Sequence, residues 1–287
     1  MTTCVFCNAA PALKRSHVAS HFFGRYIQKN SPTRYMLHSW KRSRVQDHDT
    51  GSYLCAQCDN VTFSQWEDHF ASRVWHDPCG ALAEWDSPDT RAFVNSLVWR
   101  QAVHLRAIGL SAQAIACGDH FCRLTEPELK GSRSSIRTYI YPWVYRPLTR
   151  TCALIPGVNH YLNLAIHAIA LPDEAGLPDA MLVIVPKVVF LVCDGDLSLA
   201  TGNTMADPVE LCGARPFDPV ACNQDLLDFV APVVNGAVGR SRAHQQSMGL
   251  WDKLACKADK RLHPAKVCYQ ASEYDRQLAD WRRSHCR

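Results

Sequence analysis

The sequence predicts an α+β fold in two parts, a zinc-binding unit over residues 1–80 and a helix-rich α+β domain with a small sheet over residues 81–287. Three observations support this prediction. Two Cys-x2-Cys pairs frame the first part, helical periodicity follows at residues 88–108, and β-rich runs follow at residues 161–171 and 181–194. A chain of 287 residues can form one large domain or two smaller ones. We expect two because the pattern changes after Gly80.

The two cysteine pairs are Cys4-x2-Cys7 and Cys55-x2-Cys58, with 47 residues between them. Paired thiolates at this spacing suit a tetrahedral zinc ion. The order is a knuckle, an extended segment, a second pair and then a helix, which is the plan of a treble-clef zinc module. A structural zinc would here replace part of a core that about 80 residues can barely supply.

A helix is predicted directly after the second pair. Ser64-x-x-Glu67 matches a capping box, in which the two side chains bond to backbone N–H groups at the helix start. Trp66, Phe70 and Val74 then recur every four residues and form an apolar stripe. Glu67 has a second interpretation as a metal ligand, although we favour the cap.

The second part begins with two predicted helices. The first covers residues 88–108, starts at Asp86-Ser-Pro and places one apolar set on one face: Phe93, Leu97, Val98, Ala102 and Leu105. The second covers residues 125–145, where Thr125-Glu-Pro-Glu resembles a helix start with an early proline.

Strands are expected at Tyr161–Leu171 and Met181–Asp194, the second interrupted by Pro186 and Lys187. From Asn223 the chain is predicted to be helical and basic. No motif in this half specifies a chemistry.

Charge is distributed unevenly along the chain. Residues 239–287 hold eleven Lys and Arg against five Asp and Glu. Residues 1–46 have no acidic side chain and eight basic ones: Lys14, Arg15, Arg25, Lys29, Arg34, Lys41, Arg42 and Arg44. An uninterrupted positive segment held by a metal site suits phosphate groups, so we expect a nucleic acid partner, DNA before RNA.

Several other classes are disfavoured. The most apolar run, Ala180–Cys193, is broken by Pro186 and Lys187 and cannot span a bilayer. No export signal is recognisable, so the 14 cysteines are expected to be thiols of a cytoplasmic protein and not a disulfide scaffold. A second metal site is a weaker alternative, built from Cys79, Cys117, His120 and Cys122.

Two side chains near the cysteine pairs suit hydrolysis. His17 lies ten residues after Cys7, and Asp59 directly follows Cys58, so a zinc ion holding both pairs would bring them together. An imidazole can remove a proton from water at neutral pH. Asp59 can bind a divalent cation, and Arg44 can hold a phosphate through paired hydrogen bonds.

These motifs resemble those of bacterial HNH-like, treble-clef endonucleases. The resemblance covers roughly residues 4–100. It is carried by Cys4-x2-Cys7, Ser16-His17-Val18, Arg44-Val45-Gln46-Asp47, Leu54-Cys55-x2-Cys58-Asp59, Phe63-Ser64-x-Trp66-Glu67-x2-Phe70 and Ser96-Leu97-Val98-Trp99-Arg100.

The resemblance implies a ββα-metal site that cuts DNA, in a setting such as phage defence or a mobile element. His17 matches the general base, and Asp59 matches a ligand of a catalytic Mg²⁺ or Mn²⁺ ion. Cys4, Cys7, Cys55 and Cys58 match the structural zinc. The family usually has Asp or Glu directly before the histidine, but this chain has Ser16. The missing ligand would come from Asp47, Glu67 or His69.

Ser16 motivates an alternative function, a non-catalytic zinc module that binds nucleic acid or a partner protein. A third possibility is that the zinc module is only a scaffold and that residues 81–287 serve in sensing, in DNA binding or in assembly with a partner protein or as a homo-oligomer. The first two hypotheses differ in whether bound DNA is cut.

Overall fold

The structure is a computed structural model that describes residues 2–30, 36–37, 44–45, 49–75, 87–142, 166–172, 178–186 and 188–195. These residues form a mixture of helices and antiparallel sheets, which confirms the mixed α and β class. Outside the described residues lie Arg34, Lys41 and Arg42 of the predicted basic segment at residues 1–46, as well as Cys79, Gly80 and the segment from Asn223.

Five short elements of the described residues lie between the two cysteine pairs in the sequence. They are β1 (Ser16–His17), α1 (His21–Asn30), β2 (Met36–Leu37), β3 (Arg44–Val45) and β4 (Thr50–Gly51). In the antiparallel pair β1–β4, Ser16 lies opposite Gly51 and His17 opposite Thr50. In the pair β2–β3, Leu37 lies opposite Arg44. The β1–β4 pairing places His17 next to the segment that leads to Cys55.

The helix after the second cysteine pair has a wide turn at each end. A π-helical turn at Cys58–Phe63 leads into α2 (Ser64–His69), and a second π-helical turn follows at Phe70–Trp75. The predicted stripe is confirmed, since Phe70 and Val74 are buried and Trp66 packs against the core. The predicted capping box is wrong: the helical turns begin before Ser64, whose hydroxyl donates to the Asn60 carbonyl oxygen at 2.8 Å.

The central helix α3 (Pro88–Ile108) has the predicted bounds. Ser87 caps its start by accepting a hydrogen bond from the Thr90 N–H at 3.1 Å. Gly109 ends it with a φ of 58°, a left-handed conformation that favours glycine. Nearly every side chain from Phe93 to His104 is buried, so α3 is surrounded by other elements.

Helix α4 (Ala112–Leu129) corrects the prediction for residues 125–145. Thr125-Glu-Pro-Glu forms the last turns of this helix and not the first turn of another. Gly118 lies where α4 crosses α3, and a Cβ atom there would be 2.5 Å from the Ala102 carbonyl oxygen. The absence of a side chain therefore permits the close packing of these two helices.

The described residues between 136 and 194 form a four-stranded antiparallel sheet. Its strands are β5 (Ile136–Pro142), β6 (His167–Pro172), β7 (Pro178–Val185) and β8 (Val188–Asp194), in the order β5-β8-β7-β6. The predicted strand at 161–171 corresponds to β6 in its described part. The predicted strand at 181–194 is a hairpin of β7 and β8, with Val185 paired to Val188 across the turn at Pro186.

A single hydrophobic core runs from the cysteine pairs to the sheet. The Phe70 ring stacks on Phe93 of α3 with centroids 4.1 Å apart and meets Phe190 of β8 at 6.0 Å. The predicted boundary at residue 80 lies between described ranges, and the division into two domains stays a prediction. No helix among the described residues is long and apolar enough to cross a membrane.

Candidate metal centre and neighbouring charged cluster

The four predicted cysteines form a group with the dimensions of a zinc site. Their Sγ atoms all lie within 4.8 Å of one another, and those of Cys7 and Cys55 are 3.7 Å apart. A tetrahedron with Zn–S bonds of about 2.3 Å has S···S edges of about 3.8 Å. All four are free thiols. Cys4, Cys7, Cys55 and Cys58 can therefore hold one metal ion, as predicted for structural zinc.

Backbone hydrogen bonds bring the two pairs together. The Cys4 N–H donates to the Ala10 carbonyl oxygen at 2.8 Å and closes the first knuckle. Asn8 takes a φ of 56° in this turn, which asparagine tolerates better than most residues. The knuckle then joins the second segment through Val5 N–H to the Tyr53 carbonyl oxygen at 2.8 Å.

The thiols differ in their environments. Cys7 is exposed, whereas Cys4, Cys55 and Cys58 are buried. A hydrogen bond from the Ala9 backbone lowers the pKa of Cys7 to about 6. Burial, with hydrogen bonding among the thiols, raises the pKa of Cys58. Zinc binds thiolates, so binding must displace the proton from Cys58 in particular.

The charged groups proposed for catalysis lie beside this centre. The His17 ring stacks on the His21 ring with centroids 5.3 Å apart and planes 8° apart. The pKa of the Asp59 carboxyl is raised, mainly by burial and further by the Glu67 charge. The positive charges of Arg100 and His17 act in the opposite direction. The charges of Arg100, Glu67 and His17 thus all act on the Asp59 carboxyl, and these four residues are called the charged cluster below.

Ser16 has a structural role. It is fully buried, and its hydroxyl donates to the Leu54 carbonyl oxygen at 3.2 Å. The Ser16 Oγ atom also accepts a hydrogen bond from the Leu54 N–H at 3.0 Å. A carboxylate could not donate to that carbonyl oxygen and would bury a charge. The serine therefore joins β1 to the residue that precedes Cys55.

An ion pair that the sequence does not reveal completes the cluster. Arg100 is 2% exposed, and its Nη1 lies 2.5 Å from Glu67 Oε1. Ser20 Oγ donates to the same Glu67 oxygen at 2.9 Å and accepts from Arg100 Nη2 at 3.3 Å. In the sequence, this ion pair is indicated only by the position of Arg100, which lies on the apolar face of α3 seven residues after Phe93.

A second set of contacts joins the segment before Cys55 to α3. The Tyr53 hydroxyl lies 2.8 Å from His104 Nδ1, and His104 Nε2 lies 3.6 Å from Asp49 Oδ2. Burial raises the pKa of Tyr53, and the Asp49 charge adds to this effect. The Tyr53 ring covers Gly51, where a Cβ atom would lie 2.1 Å from it. A side chain at Gly51 would therefore displace the Tyr53 ring.

The remaining predicted site residues either have contacts away from the cysteines or lie outside the described residues. His69 faces the start of α3, with Nε2 3.3 Å from Ser87 Oγ and Nδ1 3.7 Å from Asp89 Oδ2. Arg44 lies in β3 opposite Leu37. Asp47 is outside the described residues. The structure thus places His69 at the N-terminal cap of α3.

The alternative second metal site is not formed by its described members. The four cysteines above are the one group of three or more metal-binding side chains found in the described ranges. Cys117 and Cys122 are buried in α4, where burial raises their pKa values to about 11 and about 12. His120 Nε2 lies 3.9 Å from Asp194 Oδ2.

Comparisons with known proteins add no assignment. No protein-family model, no curated protein and no solved structure matches this chain.

Proposed function

We propose that this protein is a metal-dependent endonuclease of the HNH-like, treble-clef type that hydrolyses phosphodiester bonds in DNA. The observation that carries the proposal is the group of four cysteines that fits a zinc ion. Asp59 directly follows Cys58 of this group, and His17 follows Ser16, whose hydroxyl is hydrogen-bonded to Leu54 directly before Cys55. In this proposal the zinc is structural: it holds β1, which carries His17, against the turn that carries Asp59.

His17 is the general base of the proposed reaction. Its imidazole takes a proton from water, the water oxygen bonds to phosphorus, and the ester P–O bond breaks as the leaving oxygen takes up a proton from solvent to become a hydroxyl group. The acid-free segment at residues 1–46 supplies the positive charge that attracts the DNA backbone. Arg44 lies within that segment and is the proposed phosphate contact.

Asp59 is the proposed ligand of a catalytic divalent ion, Mg²⁺ or Mn²⁺. Such an ion would stabilise the negative charge that develops on the phosphate oxygens. The described residues do not supply a complete set of ligands for this ion. Among them, the four cysteines form the one group of three or more side chains that could bind a metal. Asp47 is proposed as a further ligand from the sequence alone.

Cleavage of supercoiled plasmid tests the proposal. Purified protein with Mn²⁺ or Mg²⁺ should nick the plasmid, and His17→Ala should abolish nicking while the zinc content stays unchanged. His120→Ala is the matched control because His120 lies on α4 outside the cluster, and it should cut normally. Equal rates for wild type and His17→Ala would contradict the assignment of the base.

The structural role of Ser16 favours one alternative, a zinc module that binds nucleic acid without cutting it. The hydrogen bonds of Ser16 to Leu54 explain the serine without any catalytic role. This alternative predicts DNA binding that weakens steeply with salt and is unaffected by His17→Ala. Binding without nicking in either metal would favour it over the nuclease.

A further inference from the structure

Arg100 carries a charge into the interior of the protein. Its side chain is 3% exposed, and an unpaired buried guanidinium would be strongly unfavourable. Each nitrogen type has a partner: Nη1 with Glu67 Oε1 at 2.5 Å, Nη2 with Ser20 Oγ at 3.3 Å, and Nε with the Ser96 carbonyl oxygen at 3.4 Å. Lysine, with a single nitrogen, could not span these three positions.

The partners of Arg100 come from the two segments that carry the proposed catalytic residues. Ser20 lies three residues after His17, and Glu67 lies eight residues after Asp59 in the same helical segment. Zinc can join these segments at the cysteines, and the Arg100 contacts join them again at a second point. Two separate attachments restrict rotation of one segment against the other.

We propose that Arg100, through its contacts with Glu67 and Ser20, is a positioning residue that sets His17 against Asp59. This inference rests on the proposed nuclease function. Because Arg100 is buried, it does not touch DNA, and its effect is on geometry. A misplacement of about 1 Å at a reacting centre can lower a rate about 100-fold.

Stability alone is the competing explanation for this ion pair, and α3 offers a matched control. Arg91, on the same helix, pairs with Glu128 at 2.7 Å and also donates to the Ile136 carbonyl oxygen at 3.0 Å. This pair joins α3 to α4 and β5, away from His17 and Asp59. Arg91→Gln should lower the melting temperature and leave kcat at the wild-type value.

The test compares Arg100→Gln and the double variant Arg100→Met/Glu67→Met with wild type and Arg91→Gln. Arg100→Gln leaves the Glu67 carboxylate without a positively charged partner and should lose stability, whereas the double variant contains neither charge and should recover it. We expect kcat for duplex cleavage to fall about 100-fold in both, with KM unchanged within about twofold. A double variant that recovers both stability and kcat would overturn the proposal.

A second measurement keeps the two proposals separable. Histidine ring signals in NMR spectra report the position of His17 on His21 without any need for cleavage. They should shift in the double variant, at full zinc content, and stay unchanged in Arg91→Gln. Unshifted His17 signals in the double variant would overturn the role of Arg100. Shifted signals in the double variant, together with a wild type that does not cut DNA, would contradict only the nuclease function.

Discussion

The cysteine thiols of this protein differ widely in pKa because their surroundings differ. Cys122 is 5% exposed, and burial raises its pKa from 9.0 to about 12, whereas the exposed Cys7 has a pKa of about 6. A buried thiol of raised pKa favours the folded state as long as the thiol is neutral. Its contribution is fully present below pH 9.0, the value of the unfolded thiol, and is lost as the pH rises towards about 12.

The Cys122 thiol therefore predicts a loss of stability in alkaline solution. Between about pH 8 and about pH 10.5 it should lower the free energy of unfolding by at most about 2 kcal/mol. Urea unfolding of wild type and Cys122→Ala at both pH values measures the difference. The decline should be shallower in Cys122→Ala, and equal declines would show that this thiol ionises in the folded protein.

Single residues also mark where the sequence is informative about the site and where it is not. The four cysteines were predictable because metal ligands at a fixed spacing form a local pattern. The contact of Arg100 with Ser20 joins residues 80 positions apart, and no local pattern encodes it. Ser16 departs from the Asp or Glu that HNH-like proteins usually have before the histidine. Its bonds to Leu54, however, depend on the position of β1 against the segment before Cys55, which the sequence does not show.

Among the elements, the helical segment after Cys58 joins the metal centre to the rest of the protein. Its Phe70 is fully buried and contacts rings from α3 and from β8. The π-helical turns on either side of α2 change the direction in which successive side chains point. This segment therefore packs on α3 through Phe70 while it carries Asp59 near its start.

Phe70→Ala should lower the free energy of unfolding by about 3–5 kcal/mol, because it removes a ring at the junction of three elements. Val61→Ala, in the same segment at a side chain that is 53% exposed, should change it by less than about 0.5 kcal/mol. Denaturant titration compares the two variants. Equal small losses would mean that the junction repacks around the missing ring.

The elements differ in how well the sequence predicted them. Helix α3 was predictable because a capped start and an apolar stripe agree along its whole length. The start of α4 was missed because small residues such as Gly118 weaken its stripe, and the early-proline signal at Thr125-Glu-Pro-Glu pointed to the wrong end. The hairpin β7–β8 was predicted as one interrupted strand, since both strands are buried and lack the alternation that separates faces.

At the scale of the whole molecule, one core connects the cysteines to the sheet. Phe6, between Cys4 and Cys7, meets Trp99 of α3 edge to face with centroids 5.3 Å apart. Cys193 of β8 belongs to the same core. Loss of the metal should therefore affect regions far from the cysteines.

We expect the purified protein to contain one zinc ion per chain, and Cys58→Ser to lose it. Chelation or Cys58→Ser should lower the melting temperature and abolish the near-ultraviolet circular dichroism of the packed aromatic rings. Cys122→Ala is the control, since that thiol lies outside the metal group, and it should keep its zinc. Full zinc content in Cys58→Ser would contradict the assignment of the ligands.

The separation of the two cysteine pairs along the chain also governs the order of events during folding. Each pair is a local turn that offers two thiolates to a metal, but Cys7 and Cys55 are 48 residues apart. Closing a flexible loop of that length carries an entropic term of about 3.4 kcal/mol, which only later contacts offset. A metal captured early is held by one pair and remains exchangeable. During refolding, the time at which zinc becomes resistant to a competing chelator should therefore report loop closure and not metal arrival.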